Sequence, residues 1–394
     1  MQARLWMLLG EARSKCEHIA GVPLRPEVAK ELYQVSLAKG VHATTAIEGN
    51  TLSESDVKKH LEGTLHVPPS KQYLVQELTN ILEALNMYVH RDMVSDSLSP
   101  LCPKRIREFN AVVLQKLKLE EGIVPGEVRT YEVGVGRYRG APAEDCDHLL
   151  HRMCGWLNGP EFEAPDDRQE FTIPLALLKA ALAHLYLAWI HPFGDGNGRT
   201  ARIVEVQLLA MAGVPDVACH LLSNHYNETR AEYYRQLAQA SASGGDVLPF
   251  IEYAIAGFVE GLTGHLDLIR AQQWHVSWVN HVHGQFTKKT RSANRVKELV
   301  LELSRKFGPE VKQSEPVPRR EISNLSPQLA VTYAGKDKTL SRDLNALERM
   351  GLVRRSGDGY EPCREVILAF LPARKRSHDS TGAPVPSVPP PRRA

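Results

Sequence analysis

Apolar residues recur along most of this chain with helical spacing, so the sequence predicts a mainly α protein. The longest apolar stretch, Ile173 to Ile190, contains Lys179 and His184, so it is predicted to be a buried core helix and not a membrane span. A further helix is expected to begin at Ser53, an N-cap three residues before Asp56. The same spacing predicts helices at residues 26–39, 73–88, 104–119, 144–157, 173–190, 228–240, 248–266, 295–305 and 338–350.

Two stretches depart from the helical pattern. Residues 126–142, GEVRTYEVGVGRYRGAP, alternate polar and apolar residues and are rich in glycine, which predicts one short β-hairpin. The helix at 338–350 is followed by GLVRRSGDGYEP, which is typical of a strand, a turn and a second strand. A helix before a small hairpin is the pattern of a winged helix-turn-helix. The predicted fold is therefore a helical core with a short β-hairpin, plus a small α/β winged helix-turn-helix domain.

The length of 394 residues suggests two or three domains. A helical N-terminal region (1–100), a core domain (101–265) and a winged helix-turn-helix domain (285–372) are expected. Residues 373–394 are Pro-rich and basic with almost no core-forming residue, which predicts a disordered tail.

The composition limits the class of protein. Hydrophobic residues make up 43% and charged residues 24%, as in an ordinary globular protein, so wholesale disorder is excluded. Lys plus Arg is 48 against Asp plus Glu 46, so the whole chain carries no electrostatic argument for nucleic acid or membrane binding. Six cysteines include no C-x-x-C pair and no secretory signal is visible, so we expect a cytoplasmic protein with no membrane association.

The segment HPFGDGNGRTAR, residues 191–202, carries the chemistry. A glycine-rich turn that opens a helix exposes successive backbone N–H groups beside the positive end of the helix dipole, which favours phosphate binding. Gly196 and Gly198 allow a ligand to approach the backbone closely. The segment is not a P-loop, because it has no lysine, nor an EF-hand, because Thr200 and Val206 replace the required glycine and glutamate.

Four side chains of this segment have a candidate role. Asp195 is an oxygen ligand of the kind that Mg²⁺ prefers. Arg199 and Arg202 share one helix face, where both can contact phosphate oxygens. His191 ends the preceding helix beside this turn, where it can act as a general base.

The segment matches the whole signature H-x-F-x-[DE]-G-N-G-R-x-x-R and so resembles the Fic family. The resemblance implies a helical Fic core with a hairpin flap and transfer of AMP from ATP to a Ser, Thr or Tyr hydroxyl of a target protein. His191 would take the hydroxyl proton and Asp195 would hold Mg²⁺. The implied nucleotide-binding residues are Gly196, Asn197, Gly198, Arg199, Thr200, Ala201, Arg202, Tyr233 and Tyr234.

The stretch TTAIEGN fits [ST]-x-x-x-E-[GN], the inhibitory motif of Fic proteins, with Thr44 and Glu48 as its defining residues. The resemblance implies that Glu48 reaches Arg202 and occupies the charge that the ATP γ-phosphate needs. In the family this glutamate can also support removal of AMP. Taken alone, the stretch is equally typical of a helix end with a glycine stop.

Two further stretches resemble Fic proteins. The flap would include Val133, Gly134, Val135 and Gly136, and it would hold the target segment by strand pairing. Tyr233 and Tyr234 resemble a tyrosine pair near the adenine pocket, although as a pair they are equally typical of helix packing. Ser241 stands where some relatives have an asparagine that contacts adenine.

Other functions remain open at this point. A Fic fold can transfer UMP, phosphocholine or phosphate, and the core can instead sense nucleotide for a DNA-binding regulator. The expected small-molecule partner is ATP. The candidate macromolecular partners are an unknown target protein or the chain itself as target, a second copy in a homodimer, and DNA or a protein at the winged helix. The arginines of the winged helix can contact phosphates, but acidic neighbours reduce its net positive charge. The arginines are Arg342, Arg349, Arg354 and Arg355, and the acidic residues are Asp343, Glu348 and Asp358.

Overall fold

The computed structural model describes residues 2–88, 100–135, 138–287, 290–307 and 315–368. The described chain is mainly helical, as predicted. It divides into two compact units, Met1–Ile269 and Arg270–Ala394. The division falls within one long helix, so each unit is described by itself.

The first unit is a helical bundle with one small hairpin. Its helices are α1 (Gln2–Gly21), α2 (Pro26–Ala46), α3 (Glu54–Leu61), α4 (Gln72–Tyr88), α5 (Pro103–Leu114), α6 (Cys146–Leu157), α7 (Thr172–Ile190), α8 (Asn197–Met211), α9 (Leu221–Glu228), α10 (Arg230–Ala242) and the first part of α11 (Leu248–Gln285). Its hairpin pairs β1 (Gly134–Val135) with β2 (Tyr138–Arg139) in antiparallel register. Gly136 of the expected flap lies outside the described residues, as does the tail at 373–394.

Helix α7 lies at the centre of this bundle and packs against α1, α6 and α8. It is apolar over nearly its whole length, so it is buried on several faces instead of along one stripe. Among the described residues, the stretch Gln169–Ile190 is the one helix long and apolar enough to cross a membrane, and 61% of its apolar 18-residue window is buried inside the fold. Core helices of globular proteins meet the same criteria.

The helix boundaries follow local chemistry. The predicted N-cap is present: Ser53 Oγ accepts from the Asp56 N–H at 3.2 Å, and the Ser53 N–H donates to the Asp56 carboxylate at 3.0 Å. The predicted end of the helix at 119 is wrong, because α5 ends at Leu114 and Lys116 is left-handed with φ 57°. The predicted end at 266 is also wrong, because no helix-stopping residue follows and α11 continues to Gln285.

In its described residues, the second unit contains the rest of α11, four further α-helices and a three-stranded antiparallel sheet. Its core forms where Trp278 of α11 donates to Ser304 Oγ at 2.7 Å and where the buried Asp343 accepts from Arg295 and Tyr333. The elements are α12 (Arg291–Arg305), β3 (Val317–Pro318), α13 (Arg319–Ile322), α14 (Pro327–Tyr333), α15 (Asp337–Arg349), β4 (Val353–Ser356) and β5 (Gly359–Pro362).

Candidate active site

The site forms where α7 ends and α8 begins. The N–H of His191 still donates to the Leu187 carbonyl at 2.9 Å, but His191 itself is left-handed, with φ 48° and ψ 57°. The chain turns sharply there and re-enters a helix after Gly196, whose φ of 75° suits glycine. This turn brings His191 next to the N-terminus of α8.

The turn is held by two asparagines. Asn197 closes it through its Oδ1, which accepts from the Phe193 N–H at 3.0 Å, and its Nδ2, which donates to the Phe193 carbonyl at 2.8 Å. Asn110 of α5 donates to the Asp195 carbonyl at 2.9 Å and to Thr200 Oγ1 at 3.3 Å. Asn197 therefore acts on the loop through its side chain, and Asn110 is a supporting residue that no local pattern in the sequence could reveal.

Arg202 is the most deeply buried charge of the site, with a side-chain exposure of 0%. Its Nη2 donates to the Thr44 carbonyl at 3.0 Å and to Glu48 Oε1 at 2.5 Å. Its Nε and Nη1 are buried and have no hydrogen-bond partner among the described residues. Unpaired buried donors are rare in folded proteins and indicate a missing acceptor.

Glu48 lies in the turn after α2, over the start of α8. A Cβ built on Gly198 would overlap its carboxylate, so the glutamate occupies the space that the glycine leaves open. Burial by itself would raise the pKa of Glu48. The positive charges of Arg202, Arg199 and Arg230, together with the hydrogen bond from Arg202, outweigh burial, so the net effect is a lowered pKa. Glu48 is therefore a carboxylate anion held in the candidate phosphate site.

Arg199, the second arginine of the motif, contacts two carboxylates. Its Nη1 donates to Glu77 of α4 and its Nη2 to Asp195, both at 3.1 Å. Glu77 also accepts from Asn50 Nδ2 at 2.8 Å, so one carboxylate joins the turn that carries Glu48 to an arginine of the anion site. Glu77 could not be identified from the sequence, because it lies far from the motif along the chain.

The side chain of Asp195 has the chemistry and the exposure that a magnesium ligand requires. Its side chain is 45% exposed, and its Oδ1 accepts from Arg199 and from the Gly196 N–H. No group of three or more Asp, Glu, His or Cys side chains able to hold a metal occurs in the described ranges. Mg²⁺ does not require such a cage, since it commonly takes one or two carboxylates and completes its shell with phosphates and water.

A cavity of about 480 Å³ extends from Gly198 and His191 toward α10. Ala201 lines it, and so do both tyrosines. Tyr233 is buried with its hydroxyl 2.8 Å from His184 Nε2, whereas Tyr234 is half-exposed and its hydroxyl lies 3.4 Å from the Ile47 carbonyl. Ser241 also lines the cavity.

His191 faces this cavity in a form suited to proton acceptance. Burial is the main cause that lowers its pKa, and the nearby Arg129 lowers it further, although a hydrogen bond to the Ala188 carbonyl opposes the shift. The imidazole is therefore predominantly neutral at neutral pH. Arg129 was not found by sequence analysis, since it lies in a loop without a recognisable motif.

The hairpin begins close to His191. The Gly140 N–H donates to the Val133 carbonyl at 3.2 Å, and a Cβ on Gly140 would lie 3.2 Å from His191 Cβ. Gly134 and Val135 form β1, one strand of the hairpin. The end of the hairpin at Gly140 thus lies against His191.

Comparison with known proteins agrees with this geometry. A family model described as the Fic/DOC family matches residues 100–209. Protein adenylyltransferase fic-1 of Caenorhabditis elegans is 32% identical over 213 residues, which cover 54% of this chain and 38% of that protein. Protein adenylyltransferase Fic of Nematostella vectensis is 28% identical over 246 residues, or 62% of this chain and 52% of the relative. The chain thus spans about half or less of the curated relatives it matches.

Solved structures have the same fold. Fic-1 (residues 134–508) of C. elegans aligns with a TM-score of 0.53 and 26% identity, covering 67% of this chain and 72% of that one. A Fic family protein of Desulfovibrio desulfuricans G20 aligns over 90% of this chain and 91% of its own, with a TM-score of 0.53 and 18% identity. The HPFGDGNGRTAR turn lies inside the range that the Fic/DOC family model matches, so this region of the chain is similar to the Fic/DOC family.

Proposed function

We propose that this chain is a self-inhibited protein adenylyltransferase that transfers AMP from ATP to a Ser, Thr or Tyr hydroxyl of a target protein. The observation that carries the proposal is Arg202, a fully buried guanidinium with two unpaired nitrogens beside a helix N-terminus. Such a group is costly to bury unless an anion reaches it. The polyphosphate of ATP supplies that anion, and the cavity beside it accepts the nucleoside.

The proposed reaction uses the neutral imidazole of His191. It accepts the proton of the target hydroxyl as the hydroxyl oxygen attacks the α-phosphorus of ATP. The new P–O bond to the target forms, the bond between the α-phosphorus and the bridging oxygen breaks, and pyrophosphate leaves with that electron pair. Backbone N–H groups of residues 196–198 and the two arginines stabilise the negative charge on the phosphates.

Asp195 is the residue that would hold Mg²⁺. The ion, when bound, neutralises charge on the phosphates. Binding it requires Asp195 to share or release its contact with Arg199, which then becomes available to a phosphate oxygen.

Inhibition in this proposal is competition for Arg202. Glu48 already contacts Arg202 and fills the space above Gly198, so the γ-phosphate cannot take the same position while Glu48 remains. Removing the carboxylate should therefore raise activity, by about tenfold or more, since a buried ion pair resists separation.

The test uses purified Glu48→Gly protein, Mg²⁺ and ATP labelled at the α-phosphate, beside wild type and a Glu48→Gly/His191→Ala control. We expect label on protein in the first sample, less in wild type, and a loss of about 10²–10⁴-fold without the general base. The double variant should still bind ATP, because its arginines are intact.

Each alternative has its own outcome in that experiment. Label transferred from γ-labelled and not α-labelled ATP would identify a kinase, and equal labelling of wild type and Glu48→Gly at all ATP concentrations would rule out self-inhibition. A chase of the labelled protein with unlabelled wild type tests removal of AMP, which requires Glu48 to be present.

We also propose that the second unit is a winged helix that binds duplex DNA. The order α12, β3, α13, α14, α15, β4, β5 with the sheet order β3-β5-β4 supports the winged-helix assignment. A basic stripe, defined here as Lys338, Arg342, Asn345 and Arg349, runs along the exposed face of α15 opposite its buried leucines. Arginine and asparagine are the side chains that pair with guanine and adenine edges.

The full chain and an Arg342→Ala/Arg349→Ala variant would be titrated onto a fluorescent duplex of mixed sequence. Binding that weakens with salt and is lost in the variant would support the assignment. Binding that is absent at low salt would leave the winged helix as a protein-binding module.

A further inference from the structure

Arg129 is a buried arginine with an unusual set of partners. It lies in the loop between α5 and the hairpin and is 4% exposed. Its guanidinium donates to four main-chain carbonyls: those of His191 at 2.8 Å, Tyr131 at 2.6 Å, Ala141 at 2.5 Å and Ile190 at 3.4 Å. Its own backbone N–H donates to the carbonyl of Pro192 at 2.9 Å.

Three of these bonds fix the backbone around His191. His191 is one of two non-glycine residues with positive φ in the described chain, and this conformation is sterically unfavourable for a residue with a Cβ. Such a backbone conformation persists only where the surrounding structure stabilises it. Here Arg129 donates hydrogen bonds to three consecutive carbonyls, those of residues 190, 191 and 192. These carbonyls lie at the C-terminal end of α7, where the helix dipole favours a cation.

The other two bonds reach the base of the hairpin. Tyr131 and Ala141 lie on the chain as it enters and leaves the hairpin, and the Ala141 N–H donates to the Trp189 carbonyl of α7 at 3.3 Å. A Cβ on Gly140 would lie 3.0 Å from Arg129 Nη2 and 3.2 Å from His191 Cβ. One guanidinium therefore touches both the backbone of the proposed base and the root of the strand that would carry the target.

We propose that Arg129 is a positioning residue for AMP transfer: it holds the left-handed backbone of His191 and the root of the hairpin in one rigid frame. The target hydroxyl and the imidazole then meet at a fixed separation. This inference rests on the proposed function, and it adds to it a residue that contacts neither ATP nor the reacting atoms. Arginine is required because its planar group has five donors in a fixed arrangement, which lysine lacks.

The charge of Arg129 also acts on the imidazole. The charged groups that face His191 are Arg129, Glu48 and Asp195, and the Ala188 carbonyl accepts its hydrogen bond. Burial lowers the pKa of His191 most, and Arg129 adds to that effect while the two carboxylates oppose it. Removing the guanidinium charge must therefore raise the pKa, so that the base becomes protonated at a higher pH.

The experiment compares Arg129→Gln and Arg129→Lys, both in the Glu48→Gly background, with Arg235→Gln as the matched control. Arg235 is an exposed arginine of α10 that pairs with Glu232 and does not line the cavity. We expect kcat to fall about 100-fold in both Arg129 variants with an unchanged KM for ATP, because about 1 Å of misplacement suffices for such a loss. The acidic limb of the pH–rate profile should move to higher pH in Arg129→Gln and stay in place in Arg129→Lys.

A second readout does not depend on activity. Histidine ring signals in NMR, with His191→Ala used for assignment, report the pKa of His191 directly in each variant. An upward shift in Arg129→Gln but not in Arg129→Lys supports the positioning role even if the parent transfers no AMP, in which case only the proposed function fails. An unchanged kcat in Arg129→Lys, or a loss seen in KM alone, overturns the inference, and this holds even if Arg129→Gln fails to fold.

Discussion

The two units present positive charge in opposite ways. In the first, Arg202 is fully buried, keeps two nitrogens unpaired and contacts Glu48. In the second, the basic stripe of α15 lies on the surface, where water solvates each cation. A buried cation has no solvent around it and depends on acceptors within the protein or on a bound ligand, whereas a surface cation is solvated by water. A buried anion site therefore tends to come with an internal carboxylate, and in this chain that carboxylate is Glu48.

The largest expected difference between the two units concerns single arginines. In the Glu48→Gly background, Arg202→Met should lower AMP transfer about 10²–10³-fold, because a preorganised donor to the phosphates is lost from a buried site. Arg342→Met should leave transfer unchanged. Initial rates with α-labelled ATP measure both, and equal effects of the two substitutions would contradict the comparison.

Salt should separate the two units next. If the three cations of the basic stripe meet phosphates, raising salt from about 50 to about 200 mM should weaken duplex binding about 40-fold. ATP binding to Glu48→Gly should change much less, since buried pairs are screened little. Anisotropy with a duplex and calorimetry with ATP give the two slopes, and parallel slopes would show that the anion site is more open to solvent than described.

A smaller effect is expected on stability. Glu48→Gln leaves Arg202 buried without a counter-charge, which should lower the free energy of unfolding by about 1–3 kcal/mol. This is less than for a fully buried pair, because the Glu48 side chain is 34% exposed. Mg²⁺ and ATP should restore more stability to this variant than to wild type in thermal unfolding. The exposed Glu232→Gln is the control, and a nucleotide effect of equal size in all three proteins would argue against Arg202 as the phosphate contact.

The smallest effect is expected on the surface of α15. Arg342→Ala should change the free energy of unfolding by less than about 0.5 kcal/mol, because an exposed side chain loses little on truncation. The same substitution should reduce the salt slope of duplex binding by about one unit. A stability loss of several kcal/mol would mean that the stripe belongs to the core of the second unit.

Much of the fold follows from the sequence, because amphipathic spacing and caps are local. The helix predicted at residues 173–190 is observed at Thr172–Ile190, and the helix predicted at residues 295–305 is observed at Arg291–Arg305. The predicted N-cap at Ser53 is also present. The ends of α5 and α11 were wrong, since no breaker marks either end and tertiary packing decides them.

Part of the candidate site could likewise be predicted from the sequence, and part could not. The turn at 191–202 is contiguous in the sequence, so its glycines, arginines and histidine could be identified from the sequence motif alone. Arg129, Glu77 and Asn110 could not, because their importance comes only from contacts across 60 or more positions of the chain or to other helices, which folding alone creates. Charged and amide residues in helices and loops are ordinarily solvated, so no local pattern distinguishes these three.

The contact of Glu77 with both Asn50 and Arg199 has a consequence for regulation. Thermodynamic linkage is reciprocal: if nucleotide at Arg199 alters the anchoring of the turn at Asn50, then anything that stabilises or releases this turn alters nucleotide affinity by the same factor. A macromolecule that binds the outer surface of the turn between α2 and α3 would thereby act as an effector without entering the cavity. Under the proposed function, this single carboxylate would couple the nucleotide site to the surface of the first unit.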